Sequence, residues 1–281
     1  MNTYRQIASL LRDADAVLIG ASNGLSISEG LHIFADNAWF RENFGDFRAK
    51  YGLRNLLDGM FCRYESPEES WAFHGRLIRL KCIDEKPSRM MLELYSLVKD
   101  KPHYVVTSNG EDHFAPAGFA PKNVFAIEGM FTRSRCADGC GAPSWDNRDA
   151  VRRMGDAVFE SRVPTDLLPR CPHCGAPAAT SSDAMQSLFQ SEEWQAQQRD
   201  YQDFVRRAHG KKLLILEFGI GWRNQLIKAP LMQLAAAEPN ANYVTFNKGE
   251  LYIPDEIAAK SIGVDGDIAE AIHGIAEAMA Q

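Results

Sequence analysis

Four of the six cysteines stand in two tight pairs, Cys136-x3-Cys140 and Cys171-x2-Cys174, the second enclosing Pro172 and His173 and followed by Gly175. Knuckles of this kind present four thiolates to one tetrahedral Zn2+. Two disulfides or four unrelated thiols are the alternatives; an intracellular chain disfavours the first and the double pairing disfavours the second. The 30 residues between the pairs exceed the usual ribbon spacing, so an insertion is expected inside the zinc module. His173 reads as a turn residue and not as a fifth ligand. Cys62 and Cys82 stand alone and read as small buried hydrophobes.

A second group of candidates follows the short apolar runs. Gly20-Ala21-Ser22-Asn23-Gly24 comes after Ala16-Val17-Leu18-Ile19, and Ser108-Asn109-Gly110-Glu111-Asp112 after the run ending at Thr107. Glu128-Gly129 follows Asn123-Val124-Phe125-Ala126-Ile127, Gly219-Ile220-Gly221 follows the run ending at Phe218, and Asn247-Lys248-Gly249-Glu250 follows the run ending at Phe246. Small residues let backbone N–H groups approach a pyrophosphate, and a helix opening near Gly24 would direct its positive end there. Each signal alone is an ordinary turn or helix cap. Five of them at the carboxyl ends of one parallel sheet indicate a dinucleotide crevice. The first loop is not G-x-G-x-x-G, and no acid stands about 20 residues further on to hold a ribose, which argues against ordinary hydride transfer.

The elements that must carry these loops follow from periodicity. Helices are expected over 4–14, 67–80, 87–100, 192–208, 225–237 and 267–279, alternating with the apolar runs. The pattern implies an α/β fold, a Rossmann-like parallel sheet with helices on both faces, plus a small zinc-binding insert. Residues 1–129 and 185–281 are assigned to the Rossmann-like dinucleotide-binding domain and 130–184 to the insert. With 281 residues, 45% of them hydrophobic, the chain can bury one large core. A net charge of −6 with no long basic run argues against nucleic acid. No run of about 18 apolar residues appears, and acids precede the first apolar stretch, unlike a signal peptide. A soluble, cytoplasmic protein is expected.

Over nearly the whole chain these residues resemble the sirtuins. Gly20-Ala21-Ser22-Asn23-Gly24-Leu25-Ser26 is similar to the family's Gly-Ala-Gly loop and serine-bearing helix start, and Thr107-Ser108-Asn109-Gly110-Glu111 to its Thr-Gln-Asn-Ile-Asp. The four-cysteine module comes next in order. Gly219-Ile220-Gly221, Phe246-Asn247 and Gly266-Asp267-Ile268 resemble the Gly-Thr-Ser loop, the strand ending in Asn and the terminal Gly-Asp-Ala. Within the family the likeness is to class M, the macrodomain-linked protein ADP-ribosyl transferases. It is carried by Glu42 to Gly52, the Trp71-Ala72-Phe73 helix and the C-x3-C knuckle.

The resemblance implies NAD and Zn2+ as cofactors. It implies that Gly20, Ala21, Ser22, Gly24, Ser26, Asn109, Glu111, Asp112, Gly219, Ile220, Gly221, Asn247, Asp267 and Ile268 hold the dinucleotide, with Asn109 orienting a ribose or water. Typical sirtuins carry His-Gly after the third strand as the deacylase base, and class M members carry Gln; this chain has Glu128-Gly129. Deacylation is therefore not expected. A carboxylate there suits an oxocarbenium-like centre or an incoming nucleophile, and an end-of-strand cap is its bland alternative. Ser22, Gly110 and Glu111 each depart from the family pattern, and neighbouring Asp112 is a substitute for the acid that holds nicotinamide. Trp39, Phe40, Phe44 and Trp71 are candidate walls of the nicotinamide channel, with core packing as their alternative; His32, His74 and His113 are candidates near the crevice. The implied activity is transfer of ADP-ribose from NAD to a protein acceptor, a lipoylated carrier if class M holds, with a macrodomain hydrolase as partner. An NAD glycohydrolase, a non-catalytic NAD or ADP-ribose sensor and a zinc-dependent interaction module are the other readings.

Overall fold

The computed structural model describes residues 3–179, 188–189 and 191–281. Six strands, β1 (Ala16–Ala21), β2 (His103–Thr107), β3 (Val124–Ala126), β7 (Leu213–Phe218), β8 (Asn242–Phe246) and β9 (Ser261–Val264), form one parallel sheet in the order β3-β2-β1-β7-β8-β9. After β1 the chain moves outward one way through β2 and β3, and it returns to pair β7 on the other side of β1. That reversal opens a crevice at the carboxyl ends of β1 and β7, where open α/β sheets bind ligands.

Alternation along the strands divides the core. Val17, Ile19, Leu214, Leu216 and Phe218 pack with helices Thr3–Asp13, Arg89–Val98 and Ile268–Ala280 on one face. Leu18, Leu213, Ile215 and Tyr243 pack under helices Glu192–Ala208 and Gln225–Ala237 on the other. Both faces are covered, so the central strands are buried along their length and mostly apolar, with Glu217 of β7 a buried exception. Helix starts are fixed by local chemistry: the side chains of Ser88, Ser191 and Asp267 each accept a backbone N–H of the first turn.

Strands β4 (Arg133–Cys136), β5 (Trp145–Asp146) and β6 (Ala178–Ala179) make a separate small sheet in the order β5-β4-β6, antiparallel throughout. A third core joins this insert to helices Ala38–Tyr51, Leu56–Met60 and Pro67–Ile78, burying Phe40, Phe44, Phe47, Phe73, Val151 and Met154 together. Packing thus groups residues 31–83 with the insert, although they precede it in the chain within 1–129. The expected return at 184/185 lies outside the described residues. Strand β9 was not anticipated. Its Ser-Ile-Gly-Val sequence is only four residues long with a glycine inside it, and it lies partly exposed at the sheet edge. No helix among the described residues is long and apolar enough to cross a membrane.

Candidate active site

The first and fourth strand-end loops meet backbone to backbone. The Gly24 N–H donates to the Gly219 carbonyl at 3.0 Å, and a Cβ on Gly24 would lie 2.5 Å from the Gly219 Cα. Gly219 has a φ of 60°, so a side chain there would be strained as well as blocked. Ser22 anchors the same junction by donating its N–H to the Phe218 carbonyl at 3.1 Å. Its side chain is buried and does not cap helix Asn23–Ser28. Instead the Ser108 hydroxyl donates to Ser22 Oγ at 2.9 Å, and Asn224 Nδ2 reaches Ser22 Oγ at 3.1 Å and Ser108 Oγ at 3.0 Å. Three hydroxyl and amide groups thereby line the crevice floor. Sequence reasoning missed Asn224; its position just before helix Gln225–Ala237, after a glycine-rich loop, is the signal that could have found it.

Asn109 is 7% exposed and held on two sides. Its N–H donates to Thr107 Oγ1 at 3.0 Å and its Nδ2 to the Ser22 carbonyl at 3.1 Å. Its Oδ1 is buried with no hydrogen-bond partner among the described residues. A buried acceptor left open is costly unless a ligand supplies a donor. Asn109 lines a cavity of about 220 Å³, with Asn23, Ser26, Ser108, Glu111 and Glu128 as its polar groups.

The apolar wall of that cavity is Leu31, Ile33, Phe34, Leu57, Met60, Phe61 and Phe131. It is not the expected set. Phe40, Phe44 and Trp71 are at most 5% exposed in the third core, and Trp39 packs on Phe44, because helix Ala38–Tyr51 turns its aromatics toward helix Pro67–Ile78. Phe131 explains the unusual Gly110: a Cβ on Gly110 would lie 2.6 Å from the Phe131 ring, so the ring fills the space of the missing side chain.

The two neighbouring acids separate. Ser26 Oγ donates to Glu111, which lines the cavity, whereas Asp112, at a φ of 59°, is turned to Arg148 at 2.6 Å. Burial raises the Glu111 carboxyl above its ordinary range, outweighing the opposing charge of His113 and the Ser26 hydrogen bond. His113 sits behind Glu111, bonded through Nδ1 to Glu29 and through Nε2 to the Lys81 carbonyl at 3.2 Å. His74 is buried with Nδ1 2.8 Å from the Ser70 carbonyl, and the His32 ring meets Phe34 edge-on.

Glu128 stands solvent-facing at the cavity mouth, its carboxyl raised by the crowding on its protein side. Glu128 and Gly129 also line a second, smaller cavity of about 60 Å³ with Met130, Arg133, Leu188 and Trp194, on the side of the small sheet. Gly20 packs against Leu231 and Ile220, and Ala21 is fully buried at the end of β1. Ile220 buries its side chain in the core, while Gly221 abuts Glu250. Asn247 donates to the Ile220 and Glu250 carbonyls at 3.3 Å each. Asp267 caps the last helix and Ile268 is buried in the first core.

The sulfur atoms of Cys136, Cys140, Cys171 and Cys174 all lie within 4.8 Å of one another, with Cys136–Cys174 at 3.5 Å and Cys140–Cys171 at 3.6 Å. Tetrahedral Zn–S bonds of about 2.3 Å require sulfurs a little under 4 Å apart, so the cluster fits zinc. With all four positions filled by cysteine it is a structural site. Cys62 and Cys82 are partly buried against the third core, apart from it.

No family model matches the chain. A protein ADP-ribosyltransferase of Staphylococcus aureus (strain Mu50 / ATCC 700699) is 32% identical over 268 residues, 95% of this chain and 84% of that protein. A probable bifunctional ADP-ribose hydrolase/ADP-ribosyltransferase of Fusarium oxysporum f. sp. cubense is 28% identical over 78% of this chain, which spans 38% of that longer protein. A structure from work on sirtuin substrate affinity superposes with a TM-score of 0.61 at 17% identity, covering 99% of each chain. A Sir2 enzyme bound to a propionylated peptide gives 0.59, also at 17%, covering 98% of each. The sheet order, the crevice and the cysteine cluster define an α/β nucleotide-binding enzyme of the Sir2 fold. The chain belongs to the sirtuin family of NAD-dependent enzymes, beside its protein ADP-ribosyltransferase relatives.

Proposed function

We propose that this protein cleaves the nicotinamide–ribose bond of NAD and passes ADP-ribose to a protein acceptor. The observation that carries the reading is the open Oδ1 of Asn109 in a cavity whose far wall is apolar and whose mouth holds a carboxylate. The nicotinamide ring suits the Phe131 and Leu31 side, Glu111 and Ser26 suit its amide, and Asn109 suits a ribose hydroxyl or a water. The Gly24–Gly219 junction gives backbone access for the pyrophosphate. As nicotinamide leaves, Glu128 stabilises positive charge at the anomeric carbon and accepts the proton of the incoming nucleophile; its raised carboxyl brings it closer to a base's working range. Imidazole is absent from that position, so deacylation is not part of the proposal.

The acceptor enters from the side of the second cavity, between Glu128 and the small sheet. A lipoylated carrier protein is the proposed acceptor on the class M likeness alone. The bifunctional name of the Fusarium relative supports a macrodomain-type hydrolase working beside this chain to reverse the modification. The test is nicotinamide release from labelled NAD with and without a lipoylated carrier. Carrier-dependent release with label on the protein is expected. Release with NAD alone would instead make the chain a glycohydrolase, and tight binding with no release would make it a sensor.

A further inference from the structure

Beneath the Gly219–Gly221 loop lies a polar group that the chemistry above does not use. Glu217, Lys228, Tyr243 and Thr245 are each at most 1% exposed, on the sheet face covered by helix Gln225–Ala237. Lys228 Nζ donates to Glu217 Oε1 and to the Ile220 carbonyl at 2.9 Å. The Tyr243 hydroxyl and Thr245 Oγ1 also donate to Glu217, the latter at 3.0 Å. Burying an ammonium and a carboxylate is expensive, and an apolar pair of like volume is often at least as stable. Stability alone therefore does not account for the pair.

What Lys228 does geometrically is hold one peptide plane. Its bond draws the Ile220 carbonyl inward, and Asn247 Nδ2 reaches the same oxygen from the loop side at 3.3 Å. In a planar trans peptide the C=O and the following N–H point in opposite directions. An inward Ile220 carbonyl therefore turns the Gly221 N–H outward, toward the crevice. We infer that Lys228 is a positioning residue for NAD: from inside the core it fixes the Ile220–Gly221 peptide so that the Gly221 N–H faces the pyrophosphate. Glu217 holds the Lys228 ammonium in place, and Tyr243 and Thr245 hold Glu217. This rests on the reading of Gly219–Gly221 as part of the NAD site.

Lys228→Met alone strands the Glu217 carboxylate in the core, so the informative variant is Glu217→Gln/Lys228→Met, in which the amide still pairs with Tyr243 and Thr245. NAD binding is measured by calorimetry and turnover by nicotinamide release. The folded double variant is expected to bind NAD about tenfold more weakly, with KM raised in step and kcat unchanged. An unchanged Kd in a folded double variant overturns the role of Lys228. Failure of the wild type to bind NAD overturns the NAD reading itself, which is a different result. If the double variant does not fold, hydrogen exchange on the wild type decides: NAD must slow exchange of the Gly221 amide, and an unaltered rate overturns the inference.

Discussion

Asn109 donates to the Ser22 carbonyl at 3.1 Å, which fixes its amide and leaves its Oδ1 without a donor among the described residues. The side chain is thus set by the loop after β1 while its backbone belongs to the loop after β2. Asn109→Ala removes the open acceptor and one tie between the loops. Nicotinamide release is expected to fall by about 100-fold or more, on the scale of losing one preorganised polar group at a reacting centre. NAD affinity should change much less. A parallel loss of affinity and turnover would show that Asn109 only shapes the pocket.

Glu128 makes a prediction of opposite kind. Burial on one side raises its carboxyl, so wild-type turnover should fall as pH drops through that raised value and the carboxylate is lost. Glu128→Gln should remove this acid limb and lower turnover by about 10²-fold or more, the ordinary range for a general base. An unaltered pH profile in the variant would reduce Glu128 to a cap at the end of its strand.

The fold was legible where sequence pattern and burial coincide. Strands β2 and β8 and helices Glu192–Ala208 and Gln225–Ala237 fall on their expected bounds, because central parallel strands are apolar on both faces and the helices between them carry one apolar stripe. The cysteine cluster was legible because zinc imposes its own spacing. Side-chain direction was not. Whether Phe44 or Phe131 walls the cavity depends on how the third core rotates helix Ala38–Tyr51, a long-range packing outcome that no local pattern encodes. Asn224 carried a local signal in its place before a helix, but its partners did not: only the folded loops bring it to Ser22 and Ser108, residues distant in sequence.

Asn224 bridges two hydroxyls on the crevice floor; both its N–H groups and the Ser108 O–H are engaged within the trio, which leaves the Ser22 O–H as the donor for a phosphate. Asn224→Ala should leave kcat near its wild-type value and raise KM for NAD about tenfold, because the Ser22 hydroxyl loses the bridge that orients its hydrogen bond to a charged group. An undisturbed KM would mean that the bridge only ties the loops together.

Cys136 and Cys171 are buried, and β4 ends in Cys136 while β6 pairs with it. Metal analysis should find one zinc per chain. Its removal by a strong chelator, or Cys171→Ser, should unfold the insert, since a preformed site and the fold around it stand or fall together. The parallel sheet has its own cores on both faces, so far-UV circular dichroism should retain most of its signal while tryptophan fluorescence from Trp145 changes.

His113 links pocket and stability. Burial lowers its pKa, but the Glu29 hydrogen bond and the charges of Glu111 and Glu29 outweigh this and raise it to about 9. Cys82, Lys81, Glu85 and Asp112, the last paired with Arg148, complete its surroundings. In the unfolded chain the ring titrates near 6.5. The folded state therefore holds a proton that the unfolded state has lost. The resulting stabilisation is fully present below about pH 6.5, declines as pH rises, and is gone above about pH 9. With the side chain 13% exposed, its size is on the order of 3 kcal/mol. Urea unfolding at about pH 6 and about pH 9.5 should show that loss in wild type and little of it in His113→Gln. The same variant removes a positive charge behind Glu111, so the Glu111 carboxyl should rise further and NAD turnover near neutral pH should fall. Equal pH dependence of unfolding in the two proteins would mean that the ring is neutral in its pocket.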